Sequence, residues 1–252
     1  MYQLGNFYDN KNMKCIAQLG QYQVFEHEKD LSVSPSYAET AYFSSKMNVR
    51  RRQVLVNLNN TGCTVQAGAM QWMLGNVTMG SGIKGVGNLL GKMASAAVTK
   101  ESVAKPEYSG TGLVMLEPTY KHIIMVDVAQ WGSIVLDDGL FLACDSTVQQ
   151  KVVARSNISS AVFGKEGLFN LSLMGQGIAV LESPVPQAEL IQFNLENDEV
   201  KIAGNMAIAW SGSLNFTVEK SSKSLLGSAV SGEGLVNVYR GTGTILMAPT
   251  AR

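Results

Sequence analysis

Apolar and polar residues alternate over short runs along most of this chain, and glycines separate the runs. Val54-Leu55-Val56-Asn57-Leu58 is aliphatic and stops at Asn59-Asn60-Thr61-Gly62. His122 to Val128 and Gly243 to Met247 read the same way. Short β-branched runs bounded by glycine, asparagine and serine predict strands, and many of them at close spacing predict a sandwich or barrel. The 25 glycines set that spacing.

The runs also resemble one another. A glycine followed by alternating apolar residues and a polar turn begins at Gly68, at Gly139 and at Gly204. A second pattern reads Gly110-Thr111-Gly112-Leu113, then Lys165-Glu166-Gly167-Leu168, then Gly232-Glu233-Gly234-Leu235. Self-similarity at a fixed period takes precedence over other fold signals. It predicts an all-β protein of three tandem repeats of a β-sandwich or double-stranded β-helix unit, packed around a pseudo-threefold axis. The repeats span about 49–128, 129–186 and 187–250 within a single domain, 49–252, preceded by a lead segment, 1–48. Neighbouring copies close each other's cores. The glycines supply positive φ or close backbone approach. Apolar clusters at Val86, Leu89 and Leu90, and at Leu225 and Leu226, predict short helical connectors.

Composition narrows the function. Hydrophobic residues make up 46% and charged residues 16%, which excludes a disordered chain and suggests surface covered by neighbouring subunits. Lysine plus arginine equals aspartate plus glutamate, 20 each, so the basic excess of a nucleic-acid binder is absent. The one compact basic run is Arg50-Arg51-Arg52. Side chains alternate along a strand, so the three cannot share one face; a solvated strand edge is the expectation, an anion-binding patch the alternative. Cys15, Cys63 and Cys144 are odd in number and widely spaced, which argues against a disulfide framework or zinc site and for reduced core thiols. Such thiols fit a cytoplasmic compartment. The N-terminus lacks a secretory apolar core and an arginine-rich presequence. No stretch reaches the length of a membrane span.

Candidate chemistry is sparse. Gly80-Ser81-Gly82-Ile83-Lys84-Gly85 spells a dinucleotide pattern, but Gly87 and Gly91 weaken the helix it should open. The only histidines are His27 and His122, too few for a cupin-type metal site, and no Gly-x-Ser-x-Gly elbow exists. Glu166 and Glu233 hold equivalent positions in the second pattern and could line a shared axis; stabilising a turn through backbone hydrogen bonds is the plainer role. Trp72 and Trp210 fall on alternating apolar strands and read as core. No catalytic residue, metal ligand or cofactor is assigned; Arg50, Arg51, Arg52, Glu166 and Glu233 are the surface candidates.

Gly68 to Val77, Gly139 to Ala143 and the ending Gly232-Glu233-Gly234-Leu235-Val236 with Gly241-Thr242-Gly243 together resemble the altered-inheritance-of-mitochondria family, member twenty-four, over Val49 to Pro249. The resemblance implies a tandem β fold like that of the tryptophan-RNA-binding attenuation protein. Fungal members are associated with mitochondrial inner-membrane organisation, and bacterial members are biochemically undefined. Lacking a presequence, this chain looks like the bacterial, cytoplasmic type. The family carries no established catalytic residues, and a fold likeness does not license RNA binding. The leading expectation is a non-enzymatic structural or interaction protein that forms a homo-oligomer or meets a protein partner, with no nucleic acid and no membrane span. A small-ligand binder or enzyme with a pocket between repeats, drawing on acids near His122 such as Asp127, is the alternative.

Overall fold

The structure, a computed structural model, describes residues 3–80, 105–154, 169–220 and 235–250. Among the described residues fifteen strands are arranged in two antiparallel sheets, eight in the first and seven in the second. The fold is all-β, as the alternation predicts.

Strands β3 (Arg52–Val65), β4 (Met70–Gly80) and β5 (Glu107–Leu116) form one arrangement, with β5 between the other two. In the next stretch β6 (His122–Asp127) and β7 (Ser133–Leu136) succeed each other across a one-turn helix, α2 (Val128–Trp131). Strands β8 (Phe141–Asp145) and β9 (Val148–Ala154) follow, then β10 (Phe169–Gly175) and β11 (Ile178–Ser183). Here β11 lies between β6 and β8, and β10 between β7 and β9. In the last stretch β15 (Leu235–Met247) lies between β12 (Ile191–Ala203) on one side and β13 (Ala207–Ser211) and β14 (Asn215–Lys220) on the other. The middle stretch contributes half its strands to each sheet and so ties the sheets together.

Local details recur at matching places. Met70 and Trp72 straddle a bulge opposite Leu116 and Met115, and Phe141 and Ala143 do so opposite Leu181 and Val180. Ala207 and Ala209 repeat it opposite Met247 and Leu246. The turn before each bulged strand holds a glycine at positive φ, Gly68 at 80°, Gly139 at 77° and Gly204 at 57°, a conformation that penalises a side chain. Asn60 and Asn197 are left-handed, and each donates its backbone N–H to a threonine hydroxyl, Thr111 at 3.1 Å and Thr242 at 3.0 Å.

These matches revise two sequence expectations. The last-stretch counterpart of Gly110-Thr111-Gly112 is Gly241-Thr242-Gly243, not Gly232-Glu233-Gly234, because Thr111 and Thr242 make the same bond. And β6, placed in the first repeat by a boundary at 128, pairs with β11 and belongs to the second stretch. Glu166, Glu233, Val86, Leu89, Leu90, Leu225 and Leu226 lie outside the described residues.

The stretches join by one rule. Cys63–Val65 at the end of β3 pair with β8, and Ile134–Leu136 of β7 pair with β13. Each core is then finished by the stretch that follows. Val54, Val56, Val114 and Leu116 pack with Leu142, Ala143 and Val180. Ile134, Leu136, Leu173 and Leu181 pack with Ile208, Ala209 and Ala248.

The lead segment is integral to the first sheet and not separate from it. Strand β2 (Tyr22–His27) pairs with β3, and β1 (Met13–Leu19) pairs with β2. Phe7 and Phe25 bury the outer face of the first stretch, covering Leu55, Leu113 and Met115, with Trp72 packed at the rim. Trp210 is core, as its alternation predicts, beside Phe216 and Tyr239.

Candidate binding cleft

Helix α1 (Ala38–Lys46) follows a 3-10 turn at Pro35–Tyr37 and buries none of its residues. It sits over the starts of β3 and the end of β2, and two adjoining hollows of about 330 and 280 Å³ open between them. Both are lined by Asp30, Ser45 and Arg50; Arg51, His27 and Tyr120 line the smaller. This is where the arginine run lies, and its side chains alternate as a strand requires.

Arg50 and Arg52 reach the same carboxylate, Glu26, at 2.8 and 2.7 Å. Arg51 points the other way to Asp30, at 2.8 Å, whose second oxygen accepts the Tyr120 hydroxyl at 3.0 Å. The expectation of a solvated strand edge fails at Arg52. Its side chain is 3% exposed, and its backbone is paired on both sides, to Glu26 and to Thr119. Arg50 also caps the end of α1, and Arg52 holds Asn48 just beyond it. Arg50 Nε donates to the Ser45 carbonyl at 3.0 Å, and Arg52 Nη2 donates to the carbonyl and side chain of Asn48 at 3.1 and 2.7 Å. The last carbonyls of a helix lack intrahelical donors and carry its negative pole, so a guanidinium there satisfies both. Nearby, His27 Nε2 and Gln53 Oε1 bond to each other at 2.9 Å.

The remaining candidates are placed apart. His122 begins β6, and burial, followed by the Arg52 charge, lowers its pKa. Asp127, at the far end of β6, accepts the Ala129 N–H as the cap of α2, so the two do not form one site. Cys63 and Cys144 are buried, and Cys15 is exposed, against the expectation of three core thiols. Burial and nearby Asp145 push the Cys63 thiol up to about 12, and Cys144 is pushed up for the same reasons. A thiol so shifted is not a thiolate nucleophile at neutral pH. Among the described residues no group of three or more His, Cys, Asp or Glu could hold a metal ion. Gly80 ends β4, and the rest of the dinucleotide pattern lies outside the described residues. The cleft itself was not legible in the sequence, because Glu26 and Asp30 are separated from the arginines by α1.

Comparison with known proteins agrees with this architecture. An uncharacterized protein of Streptococcus pyogenes serotype M6 is 30% identical over 201 residues, 76% of this chain and 79% of its own. A crystal structure of a Streptococcus pyogenes protein superposes with a TM-score of 0.59 at 25% identity, covering 81% of this chain and 90% of the other. The family described as Mitochondrial biogenesis AIM24 matches residues 46–250. That match spans all three strand arrangements and leaves out the lead that builds most of the cleft. The chain belongs to the AIM24 family.

Proposed function

We propose that this chain is a non-enzymatic interaction protein of the cytoplasm, built from three copies of one β unit, that acts by associating with further copies of itself. The observation that carries this reading is the contrast between engaged charges and open edges. All three arginines of the run are ion-paired, with Glu26 or Asp30, and Arg50 is tied to the end of α1. Strand β4, by contrast, pairs with β5 alone among the described residues. Its sequence, Met70 to Gly80, contains no charged residue and no proline. Natural edge strands are shielded by charge, proline, bulges or shortness, and an unshielded one is a template for another chain. Helix α1 adds apolar surface, with Phe43 59% exposed beside Tyr42 and Met47. Among the described residues no helix is long and apolar enough to cross a membrane.

The test is solution mass by light scattering over a hundredfold dilution. A mass above that of one chain supports the reading, and a single-chain mass at every concentration overturns it. The cleft favours a second reading, a small-ligand binder using Arg50, Arg51 and Tyr120. A ligand at a hundredfold its Kd stabilises the folded state by about 2.7 kcal/mol. A thermal-shift response that Arg51→Ala abolishes would support that reading. Salt-dependent retention on a polyanion column would instead indicate nucleic-acid binding.

A further inference from the structure

We infer that two copies of this chain pair through β4, edge to edge and antiparallel, about a twofold axis at Asn76. This inference rests on the self-association proposed above and names its surface. It starts from the joining rule of the strand stretches. Strands β8 and β13 are each paired by the stretch before them, through Cys63–Val65 of β3 and Ile134–Leu136 of β7. The corresponding residues of β4 are Trp72, Met73 and Leu74, since Ala69, Leu140 and Met206 make equivalent carbonyl contacts to Glu117, Glu182 and Ala248. Among the described residues no strand lies beside the outer side of β4.

The other edges are protected. β12 carries Glu196, Asp198, Glu199 and Lys201; β14 ends in Glu219-Lys220; β9 contains Lys151; β1 contains Lys14 and a bulge. β6 is six residues long and ends at Asp127. In β4 the bulge is confined to its start, and Trp72 to Gly80 pair with β5 without a further shift.

The backbone fixes the register. The carbonyl oxygens of Leu74 and Asn76 turn toward β5, lying 2.1 Å from where Cβ atoms on Gly112 and Gly110 would stand. N–H and C=O groups alternate sides along a strand. Those of Met73, Gly75, Val77 and Met79 therefore point to the open side. A twofold at Asn76 places Gly75 opposite Val77 of the second copy, with their outward groups bonded to each other. It places Met73, 45% exposed, beside Met79 of the second copy, 59% exposed, so the two apolar side chains cover each other.

Two alternative pairings fit less well. β12 against β12 would oppose Glu196, Asp198 and Glu199 to like charges. β12 against β4, a third instance of the internal junction, would seat one copy's last stretch where Phe7 and Phe25 already lie. An isologous β4 pair leaves that layer in place and closes after two copies.

Asn76 with its twofold mate is a non-hydrogen-bonded pair, for which Cα atoms stand about 4.5 Å apart, within disulfide reach. The experiment uses full-length chain with Cys15→Ser, since Cys15 is the exposed thiol. Asn76→Cys is oxidised mildly and run without reductant, next to the wild-type mass. The inference expects near-complete conversion to a crosslinked dimer. It also expects no crosslink between Met73→Cys and Lys201→Cys chains mixed together. An associated wild type whose Asn76→Cys chain stays uncrosslinked overturns this surface while leaving self-association standing. Crosslinking of the mixed pair, or loss of mass in Phe43→Asp alone, overturns it in favour of the internal junction or of α1. A monomeric wild type overturns both proposals. Met73→Lys, on an exposed position that cannot unfold the core, must lower the fraction of dimer at least tenfold.

Discussion

The two ends of the strand array are finished differently. At the first end the lead segment adds β1, β2 and a layer of aromatic side chains, so the outer face of β3 and β5 is covered. In the last stretch Trp210, Phe216 and Tyr239 share a core with Phe193, Leu195 and Val200, which are only partly buried. The strands of the first stretch are thus held by added chain, and those of the last by their own aromatic stacking. Stability is expected to be concentrated at the capped end, where more apolar area leaves water.

Matched substitutions sharpen that contrast. Phe25→Ala removes a buried ring from the lead layer and is expected to cost about 3–5 kcal/mol in urea unfolding. Phe193→Ala, at the open end, is expected to cost about 1–2 kcal/mol because its ring is already partly hydrated. Equal costs would mean that the lead is not a structural cap. Glu26→Gln leaves the buried Arg52 guanidinium without its counter-charge and is expected to cost about 3–5 kcal/mol. Glu219→Gln breaks the exposed pair with Arg240 and is expected to move stability far less.

Glycine gives the next comparison. Gly110 and Gly241 hold corresponding places, with φ of 131° and 119°. A Cβ on Gly110 would stand 2.1 Å from the Asn76 carbonyl oxygen, because β4 runs unbroken beside it. On Gly241 the nearest atom is 3.8 Å away, because the gap between β13 and β14 lies there. Gly241→Ala is expected to cost about 1–2 kcal/mol of backbone strain. Gly110→Ala is expected to add a further 1–3 kcal/mol or so of overpacking, read as a lower denaturation midpoint.

The smallest effects are in acid. His122 has a folded pKa held below 6.5, first by burial and then by Arg52. The unfolded chain therefore takes up its proton first, and stability falls as pH drops from 6.5 toward the folded value. Glu219 in the second sheet is held at about 2, first by its hydrogen bond to Arg240. Its contribution is present above the unfolded value of 4.5 and is lost as pH falls toward 2. A pH series of thermal midpoints should show His122→Gln flattening only the upper limb and Glu219→Gln only the lower.

Legibility in the sequence followed the range of the interactions. The strands after Gly68, Gly139 and Gly204 were readable because a left-handed turn and an alternating run are local signals. The pairing of Gly110-Thr111-Gly112 with Gly241-Thr242-Gly243 was missed because the bond that equates them joins residues 51 apart in one case and 45 in the other. The lead was unreadable for the same reason. Its strands are short, and Phe25 gains its partners only when β3, β4 and β5 are in place. Of the candidate cleft, the alternation of Arg50, Arg51 and Arg52 was legible, but the burial of Arg52 was not, since Glu26 and Thr119 must come from distant segments.

The most direct test of the account is the solution mass of the full chain beside that of a Met73→Lys, Met79→Lys variant, by light scattering at one concentration. Both residues are exposed, so the variant keeps its fold, and it places like charges across the inferred twofold. The account predicts about twice the 27.1 kDa chain mass for the wild type and a single-chain mass for the variant. Equal masses for the two, whether one chain or several, would contradict it.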